Sequence, residues 1–197
     1  MHKMLVSLPT RFETERLYLR SYQAGDGPMV YAVSQKNRAH LQRYEAGNAL
    51  MSIKTEQDAE VLVRELAAEW EARNCFFIGV FDKVNHDFVA QIYVGPINWN
   101  LPEFIIGYIA DVDHQGCGFV TEAVKAALNM LFRDLNAHRV SLRSDDTNLR
   151  SHRVAERCGF IKEGHIREDK KYPDGTISGT LHFGLLRSDY EAVEQQE

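Results

Sequence analysis

Residues 107–123 read GYIADVDHQGCGFVTEA. Gly107 to Ala110 closes a strand-like run, Gln115-Gly116-Cys117-Gly118 makes a glycine-rich turn, and the residues after it take up helical spacing. At such a junction backbone N–H groups converge, and the helix start adds partial positive charge. A pyrophosphate can sit there without any lysine, although a glycine turn that binds nothing is spelled the same way. Two familiar phosphate loops do not fit. The dinucleotide fingerprint G-x-G-x-x-G finds Gly116 and Gly118 but meets Thr121 at its last position, and no G-x-x-x-x-G-K-[ST] run is present.

Upstream of this stretch, Phe12 to Tyr22 alternates as one strand. Asp26 and Pro28 mark a helix start, with Asp26 as its cap, and the helical character runs to about Tyr44. Lys54 to Arg73 is a stronger helix. Thr55 and Asp58 have capping-box spacing, and Ala59, Leu62, Val63, Leu66, Ala67 and Trp70 share a face. Phe76–Phe81, Phe88–Ile97 and Glu103–Ala110 read as an antiparallel meander. Downstream, Gly118–Arg133 reads as a helix, Arg139–Arg143 as a strand, and Asn148–Cys158 as a helix stopped by Gly159. Strands follow from Phe160 and over Leu181–Leu186, joined through a Pro173-Asp174-Gly175 turn. Helices and strands mix without strict alternation, which predicts an α/β (α+β mixed) layer with a mixed sheet.

The chain has 197 residues, and no linker, repeat or low-complexity tract divides it, so residues 1–197 are expected to form a single domain. The formal net charge of −5 argues against a nucleic-acid partner and favours a cationic substrate. No apolar run reaches the roughly 18–20 residues that span a bilayer. Met1 to Pro9 is too short for a secretion signal, and together these features predict a cytoplasmic protein with no membrane partner. Cys75, Cys117 and Cys158 are odd in number and form no CxxC pair, against a disulfide framework and against a zinc or other metal site.

Gln115-x-x-Gly118 resembles the coenzyme-A loop of the GNAT acetyltransferases, Q/R-x-x-G-x-G/A, with Val120 standing where that family has Gly or Ala. Asn148-x-x-Ser151, then Gly159-Phe160, is similar to the family's second landmark in both order and spacing. Glu15-Arg16-Leu17-x-Leu19-Arg20, Asn37-Arg38-x-His40-Leu41 with Tyr44-Glu45, and Leu185-Leu186-x-x-Asp189-Tyr190 resemble the RimJ/RimL branch. The likeness runs from about Thr14 to Tyr190. It implies the GNAT fold, a central, mostly antiparallel sheet of about seven strands flanked by helices. It further implies acetyl-CoA (coenzyme A) as cofactor and a primary amine as acceptor, foremost the N-terminal amine of a ribosomal protein. A small amine (polyamine, amino sugar or antibiotic) remains open as acceptor, as does a non-catalytic acetyl-CoA sensor, and the chain is expected to be a monomer or homodimer.

Acetyl transfer needs a neutral amine, a polarised thioester carbonyl and a proton for the departing sulfur. By resemblance, Gln115, Gly116, Cys117, Gly118, Phe119 and Val120 hold the pyrophosphate with backbone N–H groups. Ile109, Ala110, Asp111 and Val112 run beside the pantetheine arm, which Asn148 and Ser151 also meet. Glu103 is the expected base; it reads equally as an exposed strand-edge acid, and Glu168 and Asp169 are its rivals. The family's acid is a Tyr at the position held here by Ala155, which leaves Ser151 as the substitute acid or simply as a first-turn helix residue. Tyr44, Trp99 and Tyr108 are expected to line the acceptor side.

Overall fold

The computed structural model describes residues 2–172 and 174–194. Pro173, placed in the turn above, lies outside the described residues. Eight strands form one sheet in the order β1-β2-β3-β4-β5-β6-β8-β7. They are β1 Arg11–Glu13, β2 Leu17–Ser21, β3 Phe76–Asp82, β4 Phe88–Asn98, β5 Glu103–Ala110, β6 Arg139–Asp145, β7 Ile161–Lys171 and β8 Ile177–Leu186. Neighbours are antiparallel except β5 and β6, which are parallel. Five α-helices flank the sheet: α1 Gly27–Leu41, α2 Glu56–Glu71, α3 Phe119–Asn129, α4 Leu149–Arg157 and α5 Arg187–Glu194.

The expected strand Phe12–Tyr22 is two strands, which brings the sheet to eight. Thr14 turns the chain: its hydroxyl oxygen accepts from Leu17 N (3.0 Å), and its own N–H donates to Leu17 O (2.9 Å). Asp26 precedes α1 without capping it, because Arg20 takes its carboxylate in a fork at 2.6 and 2.8 Å. Thr55 and Asp58 do form the reciprocal capping box of α2. Gly118 stays outside α3, since its φ of +80° is left-handed; beyond Asn129 the helix widens into a π turn over Met130–Asp134. The sequence reading gave no helix after Leu186. There α5 starts with the Asp189 carboxylate accepting from Leu186 N, and Tyr190 stacks on Phe132 with centroids 4.5 Å apart.

Alternation sends successive strand residues to opposite faces. Leu17, Leu19, Phe76, Ile78, Phe104 and Ile106 join a core with α3, α4 and Trp70. Tyr22, Phe81, Phe88 and Ile109 join a second core under α1 and the first half of α2. Burial of both sheet faces explains the near-continuous apolar run of β4. No helix among the described residues is long and apolar enough to cross a membrane.

Candidate active site

The parallel pairing of β5 with β6 ends at Ile106↔Leu142. Beyond it the two strands part, and a cleft of about 840 Å³ opens between them. Gly107, Tyr108, Ile109 and Ala110 form one wall, with Arg143, Ser144 and Asp145 opposite. Meanwhile β5 keeps its antiparallel partner β4 as far as Ala90↔Ala110. The parted strands therefore have one paired edge and one edge turned to the cleft, where backbone groups need a new partner.

The loop and α3 close one end. Gly116 and Gly118 have φ of +78° and +80°, a backbone that glycine adopts without a Cβ penalty. They turn the chain so that α3 starts at the cleft, where its first N–H groups have no helical carbonyl to meet. The loop is held from behind by Arg16. Its Nη1 donates to Cys117 O (3.0 Å), its Nε donates to Glu122 (2.7 Å), and its guanidinium lies 4.7 Å over the Phe119 ring. From α1, Asn37 binds both the Asp111 carboxylate and Val112 N at 2.8 Å. Asp111 itself is fully buried and also takes Lys36 (2.8 Å) and His114 (2.7 Å). Burial works against its charge, but these donors prevail and lower its pKa. The Gln115 side chain spans the entrance, donating to His40 at 2.7 Å and accepting from Arg150.

Charge matches an anionic guest. Although the chain is net −5, five arginines (43, 143, 150, 153 and 157) and Lys170 line the cleft against only two carboxylates, Glu45 and Asp145. Such a cluster focuses a positive field where phosphates are to bind. Asp145 is saturated: Thr147 donates twice to Oδ1, Tyr172 and Ser178 donate to Oδ2, and its pKa falls to about 2. Burial pushes Tyr172 up to about 12, and its donation to Asp145 adds to that rise.

Of the residues expected from sequence, the cleft brings together Tyr44, Tyr108, Ile109, Ala110, Gln115, Gly116, Gly118, Phe119, Val120, Asn148 and Ser151. Val120 lies inside the first turn of α3 and packs its side chain on the core. Asn148 caps α4 by accepting from Ser151 N, and the Ser151 hydroxyl lies 3.1 Å from that of Tyr108. Asp111, Val112 and Cys117 are not among the lining residues: Asp111 is buried, while Val112 and Cys117 are exposed. Glu103 and Trp99 are at the far end of the sheet. Glu103 pairs with Arg139 (3.2 Å), which also holds Glu163, and Trp99 packs edge-on against Phe104. Glu103 is thus held in an ion pair, four residues along β5 from Gly107, where the cleft wall begins, or about 13 Å at roughly 3.3 Å per residue. Asp169, one of its rivals, accepts from Thr180.

The sequence reading gave no role to Glu45. It lines this cleft and also an adjoining cavity of about 470 Å³ walled by Phe77, Gln91, Tyr93 and Tyr108. Its sequence signal was its place in the Tyr44-Glu45 pair that resembles the RimJ/RimL branch.

The family described as "Acetyltransferase (GNAT) domain" matches residues 16–161. The chain belongs to the GNAT acetyltransferases. It is an N-acetyltransferase that uses acetyl-CoA. Among its relatives, the "Probable N-acetyltransferase YjcK" of Bacillus subtilis is 26% identical over 176 residues, covering 89% of this chain and 96% of the relative. The ribosomal-protein-S5-alanine acetyltransferase of Vibrio fischeri shares the fold at a TM-score of 0.80 and 22% identity, over 92% of this chain and 99% of that one. RimL, a ribosomal L7/L12 alpha-N-protein acetyltransferase solved with coenzyme A, does so at 0.77 and 19%, over 91% and 97%. The RimJ/RimL resemblance and the mixed, mostly antiparallel GNAT sheet hold, and the features of the cleft fit acetyl-CoA.

Proposed function

We propose that this acetyltransferase modifies the N-terminal α-amine of a protein, with a ribosomal protein as the foremost acceptor. The observation that carries this reading is the charge of the second cavity. Glu45 is the one carboxylate among the residues lining it, and no lysine or arginine is among them. An α-amine brings a single positive charge, which one carboxylate matches. A polyamine or aminoglycoside brings several and calls for several acids. Ribosomal-protein acetyltransferases among the structural relatives support the same acceptor class.

Acetyl-CoA supplies the acyl group as an activated thioester. The loop N–H groups of Gln115 to Val120 and the start of α3 would hold its phosphates, aided by the cleft arginines. The edge of β5 from Gly107 to Ala110, which lines the cleft, would orient the arm. Ser151 and Tyr108 form a hydroxyl pair in the lining, and burial pushes the Tyr108 pKa up, so the phenol keeps its proton. That pair is the proton source for the departing sulfur.

A competition assay checks the acceptor. Purified protein is given acetyl-CoA with equal amounts of ribosomal-protein N-terminal peptides, the same peptides N-terminally blocked but bearing lysine, and spermidine. Acetylation confined to free α-amines is expected. Preferential acetylation of spermidine or of lysine side chains would overturn the assignment.

A further inference from the structure

The cofactor cleft and the second cavity share five lining residues: Tyr44, Glu45, Gly107, Tyr108 and Ile109. Their junction is where an amine entering from one side meets an arm lying in the other. Glu45 carries the only carboxylate there. It follows α1 directly, and its backbone is fixed on both sides: its N–H donates to Leu41 O (2.8 Å), and its carbonyl accepts from Asn48 N (2.9 Å). We propose that Glu45 is the catalytic base, taking the proton of the acceptor ammonium at this junction. The proposal rests on the α-amine reading above.

The step balances without any further reactant. One N–H bond of the ammonium breaks and its proton moves to a Glu45 oxygen, leaving a lone pair on nitrogen. That pair forms the C–N bond to the acetyl carbon, and the nitrogen then gives its remaining extra proton to the Ser151–Tyr108 pair, replacing the one that the pair gives to sulfur. The C–S bond breaks with its electrons going to sulfur, which is protonated from the Ser151–Tyr108 side. Glu45 then returns its proton to solvent.

The surroundings suit a base. Burial raises the proton affinity of Glu45, partly opposed by a hydrogen bond from Asn48 and by Lys170 of β7. A carboxylate raised in this way is nearer the proton affinity that general-base work at neutral pH requires. From the other elements, Tyr93 of β4, Tyr108 of β5, Arg143 and Asp145 of β6, and Arg150, Arg153 and Arg157 of α4 face the two cavities. His40 of α1, the neighbouring Arg43 and Tyr44, His114 after β5 and Lys170 of β7 complete the charged and titratable lining. Burial and Arg150 lower the His40 pKa, and His40 lines only the cofactor cleft. Asp145 has its pKa lowered to about 2 and its oxygens taken by four donors, so it is no rival for the proton.

The test is Glu45→Gln, assayed with a free-N-terminus peptide from pH 6 to pH 9.5 and titrated calorimetrically with acetyl-CoA. At pH 7 kcat/KM is expected to fall about 100-fold, the scale of a lost general base, with acetyl-CoA affinity kept. The deficit should narrow toward pH 9.5, because an α-amine of ordinary pKa near 8 sheds its own proton there. Glu45→Asp should keep part of the activity at pH 7. Wild-type kcat/KM at pH 7 overturns the proposal. So does a deficit that stays constant across pH, or a loss of acetyl-CoA affinity, either of which marks a structural role. A wild-type protein that acetylates no amine fails before the variant is compared, and overturns the α-amine reading together with this one.

Discussion

At the scale of single residues, Gly118 and Glu103 separate what the sequence could tell from what it could not. Gly118 was legible because only a backbone free of Cβ takes a φ of +80° at no cost, and such a turn leaves glycine in the sequence. Gly118→Asp adds left-handed strain and sets a carboxylate where phosphate binds. It is expected to abolish calorimetric binding of acetyl-CoA, and unchanged affinity would remove the loop from the site. The sequence left Glu103 open between base and strand-edge acid, because an acid at the start of a strand reads the same whether it faces a cleft or an arginine. In the fold it faces Arg139, with both side chains partly exposed (30% and 24%). Glu103→Gln should therefore leave kcat and its pH profile as in the wild type and change stability by less than about 1 kcal/mol. A lost acidic limb in that profile would reinstate it as the base. Glu45 stood within a recognised pattern but without a chemical role, since that role comes from two cavities meeting, which no local pattern records.

At the scale of elements, long amphipathic and capped segments read well. The capping box and apolar face of α2 gave its start and length, and the meander β3-β4-β5 followed from alternation between turns. What failed was tertiary or carried by single side chains. One hydroxyl at Thr14 split the first strand, and the sequence offered no sign that β5 and β6 would part after Ile106. Asp145 shows how elements are tied around that opening, since it joins β6 to β8 through Ser178 and to the end of the β7–β8 hairpin through Tyr172. Its folded pKa of about 2 lies below the ordinary carboxylate value of 3.8. The stabilisation is thus complete above about pH 4 and is lost as pH falls through about 2. Urea unfolding should show Asp145→Asn destabilised by roughly 2 kcal/mol at pH 7, at about 1.4 kcal/mol per pK unit, with the gap closing between pH 4 and pH 2. A gap that stays constant over that range would mean that packing, not charge, accounts for it.

At the scale of the whole molecule, an acidic chain concentrates its cations in one cleft between two parted strands. A second cavity with a single carboxylate opens beside it. Fold and cofactor were legible because two landmarks, the glycine loop and the Asn148–Ser151 cap, lie in fixed order along the chain. The acceptor side was legible only at Tyr44-Glu45 and Tyr108, because the rest of it is assembled from parts of β4 and β5 that carry no motif. The most direct measurement follows one acetyl group. The protein is mixed with acetyl-CoA and a peptide bearing a free N-terminus, while thiol release and peptide mass are recorded together. One acetyl group on the α-amine for each thiol released is the predicted result. Thiol release without acetylated peptide, or acetylation of the N-terminally blocked peptide at the same rate, would contradict it.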